Sequence, residues 1–400
     1  MLVVLIILAA ILFYAWVVYP VLVMGLGRPK LAAHSAPPTA RTEEFPAVAI
    51  LFSAHNEEAV IRQRLENLAE LDYPVDRLHV YVGVDGGTDR TAEIATAWAA
   101  GHANVSLVVN PENHGKMAML KRLAGLVKTA DSGAEYTERM LLFTDANTMF
   151  RKDAVTILMA QFRDERVGGV CGRLVFLGGG RSEDGTDEPV YWDFETRLKI
   201  AESALVSCLG ANGAIYAIRE RLFPVEIPDN TIVDDFVIGM KVCEQGTRMV
   251  YESGAVATEE LPVTVEDEWR RRVRIGTGAY QALTLCWRCL LPRHGMLAWI
   301  FWSHKVLRWL TPHLVILLVA SGCWVVAEWV RSASASVVNL AGIGLAIVLV
   351  LGFMVCWGSR WGRKGFKLVS YFIVMQAALF FGFLRFCRGN LKGGWERTAR

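Results

Sequence analysis

The chain has 400 residues, 53% of them hydrophobic, and a formal charge of +2 at pH 7. That apolar content exceeds the range of ordinary soluble domains, and a charge so near zero argues against nucleic acid as a partner, although the basic residues cluster beside the apolar segments. The length allows two or three domains, or one large domain with membrane segments around it.

Leu2 to Met24 is almost wholly apolar. A helix over this stretch is roughly 35 Å long, enough to cross a bilayer. No Lys or Arg precedes it, which fits a cleaved signal peptide poorly. Arg28 and Lys30 follow it, so the positive-inside rule places the N-terminus outside and the next region in the cytoplasm. We assign residues 1–28 to this first membrane segment. Residues 29–45, with Pro37-Pro38 and several Ser, Thr and Ala, read as a linker.

From Pro46 to about Val263 strand-like and helix-like runs alternate, which predicts an α/β domain, taken here as 46–285. Val48–Ser53, Leu78–Val84, Val105–Val109 and Arg139–Thr144 read as strands. Between them come a helix over Glu57–Leu71 with Asn56 as its N-cap, a second opened by Thr88-Asp89-Arg90-Thr91, and a third from Gly115-Lys116 to about Val127. No G-x-G-x-x-G turn is present, which argues against a dinucleotide fold. Gly178–Glu188 reads as a surface loop and Phe236–Glu244 as a helix.

Residues 286–400 read as an interfacial helix followed by membrane segments. Leu297–Leu310 mixes Phe301, Trp302 and Trp309 with His304, Lys305 and Arg308, the pattern of an amphipathic helix lying at the membrane surface. Pro312–Val330 and Val337–Trp357 read as spans. Leu368–Phe386 is also apolar, but basic residues flank both its ends, so a crossing and a re-entrant or interfacial segment all stand as readings. Of eight cysteines, Cys171, Cys323 and Cys356 sit in apolar stretches. Cys286 and Cys289 have CxxC spacing but lack the second pair a zinc site needs.

Several short patterns carry chemistry. The apolar run Leu141-Leu142-Phe143-Thr144 stops at Asp145, with Asn147 two residues on. In a parallel sheet this is the edge where open α/β folds bind ligands. Two oxygens there can hold a hard divalent cation that also binds substrate phosphates. Glu57 and Asp85 stand at the ends of the first two strands, where a carboxylate accepts hydrogen bonds from a ribose or a base, or serves as a helix N-terminal charge. Lys116 follows a glycine at a helix start, a setting that favours a diphosphate. The adjacent Asp234 and Asp235 repel each other, and burial raises a carboxylate pKa further, so the pair suits a proton acceptor. Gly210-Ala211-Asn212-Gly213 lets backbone approach a sugar, or forms a plain tight turn.

In order and spacing, Ala54-His55-Asn56-Glu57, Val84-Asp85-Gly86-Gly87-Thr88-Asp89, Gly115-Lys116, Asp145-Ala146-Asn147, Gly210-Ala211-Asn212-Gly213 and Val233-Asp234-Asp235 resemble the inverting family-two glycosyltransferases over about residues 46–285. The membrane-integrated branch with the cellulose, chitin and hyaluronan synthases is the most similar. The resemblance implies an α/β fold of the GT-A type, inserted between transmembrane helices and carrying an interfacial helix. It implies donor contacts from Ala54, Glu57, Asp85, Lys116, Arg271 and Arg274, acceptor contacts from Gly210, Asn212 and Gly213, and Mg²⁺ or Mn²⁺ on Asp145 and Asn147. Asp235, beside Asp234, is the general base it implies.

There are two departures. Asn147 replaces the second Asp of the family's DxD. Arg271-Arg272-Val273-Arg274-Ile275 stands where processive synthases carry QxxRW, with Ile275 in place of the Trp that stacks on acceptor sugar. Trp269 and Tyr280 are other sources of an aromatic face, and the arginines alternatively touch anionic lipid. The expected activity is transfer of a sugar from a UDP-sugar, with inversion, to a growing exopolysaccharide, by an integral membrane protein whose catalytic domain is cytoplasmic. The C-terminal segments would then form part of a product channel, and accessory subunits are left open. The alternatives are single transfer to a membrane lipid, such as a ceramide, diacylglycerol or polyprenyl phosphate, and a non-catalytic scaffold or sugar-binding subunit.

Overall fold

A computed structural model of the chain describes residues 1–27, 45–130, 138–177, 188–260, 265–332 and 360–391. The linker at 29–45, except its last residue, the span expected at Val337–Trp357 and the loop expected from Gly178, up to residue 187, lie outside the described residues.

The α/β domain is built on one eight-stranded mixed sheet in the order β3-β2-β1-β4-β7-β6-β8-β5. β1 (Ala47–Ala54) is buried at all eight positions. Such a continuous apolar run, without alternation, belongs to a strand covered on both faces. β2 (Leu78–Asp85), β3 (Val105–Asn110) and β4 (Arg139–Phe143) run parallel to it, with Ala54 beside Val84 and Leu51 beside Phe143. The strand ends carrying Asp85 and Asp145 therefore come out at one edge. Beyond β4 the direction reverses. β7 (Tyr216–Arg219) pairs antiparallel with β4 and with β6 (Val167–Leu177), while β8 (Arg248–Glu260) runs parallel to β6 and closes on the short β5 (Met149–Phe150).

Each face of the sheet has its own core. Leu51, Phe143 and Tyr216 pack with Met119, Leu120 and Leu123 of α4 (Lys116–Ala130) and with Val237 and Met240 of α7 (Asp234–Glu244). On the other face Ile50, Phe52 and Leu142 pack with Leu65 and Leu68 of α2 (Ile61–Ala69) and Leu158 of α5 (Ala154–Ala160). α3 (Thr91–Ala99) and α6 (Glu188–Leu205) complete the domain.

The start of α2 differs from expectation. Asn56 does not cap it, because its backbone takes φ +55° and its Oδ1 accepts the Thr88 N–H at 2.8 Å. Residues 57–60 form a turn instead, and the helix begins at Ile61.

Among the described residues three helices are long and apolar enough to cross a membrane: α1 (Leu2–Leu26), α10 (Thr311–Ser332) and the Val369–Cys387 part of α11 (Arg360–Cys387). Because α11 is one uninterrupted helix, it contains no re-entrant turn. α8 (Val265–Leu285) lies against α11 at a glycine pair, where a Cβ added to Gly382 would meet the Gly276 carbonyl carbon at 2.6 Å. The helical stretch 296–309, here α9, does not present its polar face outward. His304 is 1% exposed and Arg308 6%, both turned into the protein. Carboxylates on α6 receive these side chains, a pairing that helical periodicity alone does not reveal.

Candidate active site

The carboxyl edge of the parallel strands and the N-termini of α4 and α7 open into one cleft of about 1510 Å³. At its centre Lys116 Nζ lies 2.8 Å from Asp145 Oδ1 and 3.4 Å from Asp234 Oδ2. Gly213 forms the floor. A Cβ built on it would sit 3.1 Å from Asp145 Oδ2, 3.6 Å from Asp235 Oδ2 and 3.6 Å from Lys116 Nζ. The missing side chain thus leaves open the point that two carboxylates and an ammonium share.

The electrostatics follow from this crowding. Burial pulls the Lys116 pKa down, but Asp145, Asp234 and Asp235 outweigh it and hold the value above that of a free lysine. Burial, and then the neighbouring Asp234, raise Asp235 to about 6 against the opposing pull of Lys116. Asp235 Oδ1 accepts the Phe236 N–H at 2.8 Å in the first turn of α7, and its Oδ2 is the atom nearer Gly213. Arg274 borders the cleft and has no hydrogen-bond partner among the described residues; burial lowers its pKa, with Asp234 and Asp145 opposing.

The donor set suits a hard cation. Asp145, Asp234 and Asp235 surround a single ammonium, Lys116, so the carboxylates outnumber it and the charge of the place favours a further positive ion. Asn147 Nδ2 donates to Glu259, which leaves the amide oxygen as its ligating atom.

Other expected site residues fall elsewhere. Asp85 is fully buried and does not line the cleft. Its Oδ1 accepts from Asn110 Nδ2 at 2.9 Å, and its Oδ2 from the backbone N–H groups of His114 at 3.0 Å and Gly115 at 2.7 Å. The geometry is that of an anchor for the turn before Lys116. Ala54 is buried beside Val84. Gly210, at φ +65°, gives its missing Cβ position to the Phe236 ring 2.5 Å away. Glu57 and Asn212 line the cleft, and Asn212 Nδ2 also donates to Gly172 O at 2.9 Å. Arg271 lines it too while paired with Glu268 at 2.9 Å. Ile275 and Trp269 border the cleft, whereas Tyr280 is buried and donates its hydroxyl to Trp309 O at 2.5 Å. Cys286 and Cys289 are free and buried, and burial pushes Cys289 up to about 12, so neither is a ready thiolate.

Two residues escaped the sequence reading. Glu259, at the end of β8, lines the cleft behind Asn147. Arg64 lies fully buried beneath Asp145. Its Nη2 donates to Thr144 Oγ1 at 2.8 Å, and Thr144 Oγ1 donates to Ala214 O at 2.7 Å, tying β4 to the turn that bears Gly213. An arginine in an amphipathic helix reads as solvated, so no sequence signal marks it; for Glu259 the acidic strand end Glu259-Glu260 was the available signal.

The family described as glycosyltransferase like family 2 matches residues 46–278. The chain is 29% identical over 250 residues to a probable glycosyltransferase, YdaM, of Bacillus subtilis, covering 59% of this chain and 56% of that one. It is 23% identical to the poly-beta-1,6-N-acetyl-D-glucosamine synthase of Staphylococcus aureus, over 62% of this chain and 58% of that one. With the beta-monoglucosyldiacylglycerol synthase of Synechocystis it shares 25% identity over 84% of this chain and 67% of that one. The chain thus spans less than two thirds of the first two relatives. Among solved structures, the mannosyltransferase PcManGT from Pyrobaculum calidifontis, in complex with GDP-Man and Mn²⁺, superposes with a TM-score of 0.66 at 22% identity, over 96% of this chain and 98% of that one. That likeness establishes the fold as GT-A.

Proposed function

We infer, since the chain belongs to glycosyltransferase-like family 2, that this glycosyltransferase moves a sugar from a UDP-sugar, with inversion, to an acceptor presented by the membrane. The observation that carries the reading is the convergence of Asp145, Lys116 and Asp235 on Gly213. The donor diphosphate lies against Lys116 at the α4 N-terminus and against Arg274, where both cations meet the charge that develops on the leaving group. Asp235 takes the proton of the acceptor hydroxyl as that oxygen attacks the anomeric carbon. The new C–O bond forms as the bond to the diphosphate breaks, and UDP leaves from the opposite face. Asp145 and the amide oxygen of Asn147 would hold Mg²⁺ or Mn²⁺, which when bound would supply further positive charge to the diphosphate. Asp85 acts at one remove, by fixing the turn that aims Lys116.

We take the acceptor to be a membrane lipid that receives one sugar. Trp16 of α1 and Val369, Phe372, Met375 and Leu379 of α11 wall the cleft, so it runs from the catalytic charges to helices of membrane character. Ile275 borders the cleft, and the resemblance aligns it with the Trp by which processive synthases grip the sugar. The beta-monoglucosyldiacylglycerol synthase aligns over more of the chain than the poly-beta-1,6-N-acetyl-D-glucosamine synthase does. The similarity to that polymer synthase supports a second reading, extension of an exopolysaccharide.

In both readings residues 46–285 catalyse on the cytoplasmic side, and 1–28 with 286–400 hold the domain at the membrane. The test is a UDP-sugar panel on purified enzyme with mass analysis of products. A single addition to lipid is expected, and a ladder of sugars would sink the lipid reading. Asp235→Asn should abolish transfer; activity that persists in it refutes the base assignment.

A further inference from the structure

The cleft has a second polar end that this chemistry does not use. Where α1, α6 and α9 meet, Glu195 and Glu202 of α6 face His304, Lys305 and Arg308 of α9. Glu202 Oε1 accepts the Tyr19 hydroxyl at 2.6 Å and lies 2.6 Å from His304 Nδ1. Glu195 Oε1 is 2.5 Å from Lys305 Nζ, and its Oε2 is 3.5 Å from Arg308 Nη1. Lys199, one turn beyond Glu195, lines the same cleft and has no hydrogen bond or ion pair among the described residues. Burial pushes the Glu195 pKa up, but His304, Lys305 and Arg308 outweigh that and hold it well below the usual carboxylate range. Two carboxylates at most therefore oppose three permanent cations, and the end of the cleft is net positive.

Two observations separate this cluster from a packing brace. Arg308 is only 6% exposed and stacks at 4.8 Å over Trp16 and 5.5 Å over Phe194, yet its Nε and Nη2 have no hydrogen-bond partner among the described residues. Leaving a buried donor unpaired is costly, so a brace alone explains it poorly. Moreover, both helices that frame the cluster wind as π-helix there, α1 at Tyr14–Val18 and α9 at Phe301–Val306, joined by Tyr14 Oη and Ser303 Oγ at 2.8 Å. π turns are rare and concentrate at functional sites.

The position says what the cluster could hold. Trp309, next to Arg308, packs its ring on Phe236, the neighbour of Asp235, at 5.4 Å. The apolar wall of Trp16 and Phe372, rings 5.0 Å apart, adjoins the cluster. We propose that Lys199, Lys305 and Arg308 form a subsite for a phosphate on the lipid acceptor, so that the enzyme selects a phosphate-bearing membrane lipid over a neutral one. Charge-assisted donors beside an apolar wall match a phosphate joined to an acyl tail. The proposal rests on the lipid-acceptor reading above.

The test uses the full chain in detergent with two probes that both carry a free hydroxyl, phosphatidylglycerol and diacylglycerol. Retention is read by native mass spectrometry and transfer by product mass. Phosphatidylglycerol should be retained preferentially and used with a KM lower by about ten-fold or more, the size expected of charge-assisted hydrogen bonds. Lys199→Gln with Lys305→Gln should erase the preference, and the paired Lys→Arg changes should keep it. Equal retention of the two lipids by the unmodified enzyme, or a preference that survives the double Gln change, overturns the subsite. Binding of inorganic phosphate with no retention of either lipid marks a free-anion site and overturns it as well. If neither lipid accepts sugar and a ladder forms, the lipid-acceptor reading falls, while the retention measurement still decides the subsite.

Discussion

At Gly213 one methyl group would stand 3.1 Å from Asp145 Oδ2, on the point where donor, acceptor and base must meet. Gly213→Ala should lower kcat/KM roughly 100-fold, the scale of a small misplacement in a catalytic site, with folded protein recovered in normal yield; steady-state kinetics check it. Asp235 sets the pH dependence. A base works ionised, so its protonation as pH falls through about 6 removes activity. The logarithm of kcat/KM should fall with unit slope below that pH and level off above it. Asp145, Lys116 and Asp235 were legible in the sequence because each ends a strand or opens a helix, and such positions face the sheet edge. Asp85 was legible as important but not in its orientation. Its oxygens turn inward because three N–H groups from 110–115 reach them, and no one-dimensional pattern reports contacts made by a turn.

Among the elements, the strands were the easiest to read. Buried parallel strands are short apolar runs, and β1, β2 and β3 match their predicted ranges to within a residue at each end. α2 was misplaced because Asn56 serves a distant turn instead of its own helix. α9 was read as an amphipathic surface helix because its cations recur on one face; the carboxylates that bury that face lie about 100 residues earlier. The turn at 111–115 gives the prediction at this scale. Asp85→Asn sets an amide NH2 either against Asn110 Nδ2 or against the His114 and Gly115 N–H groups, so at least one donor to the carboxylate loses its acceptor, a loss of about 1.5–3 kcal/mol per charge-assisted bond. Donor KM should rise at least ten-fold and the melting temperature should fall, as measured by UDP-release kinetics and thermal unfolding.

For the whole molecule, hydropathy located α1, α10 and α11, since a bilayer demands a long apolar run whatever the fold. It could not show that the cleft continues to those helices, because that depends on how α1 and α9 pack on α6. Two measurements belong here. Chelation with EDTA should reduce transfer strongly, with Mn²⁺ or Mg²⁺ restoring it, as Asp145 supplies the one full negative charge of its motif. In sealed inverted membrane vesicles, protease should reach residues 46–285 while leaving the α1 terminus protected, as read by mass spectrometry of the fragments.

The crossing of α8 and α11 joins the reaction to the bilayer mechanically. At Gly276 and Gly382 backbone meets backbone, with no side chain to absorb a shift, and Arg274 lies half a turn from that contact. A helix longer than the local hydrocarbon layer tilts to fit it. Embedded α11 therefore acts as a lever whose angle follows membrane thickness, and it bears on α8, the helix that carries Arg274. Turnover in nanodiscs of graded acyl-chain length should pass through an optimum, making lipid composition a throttle on the enzyme without any regulatory ligand.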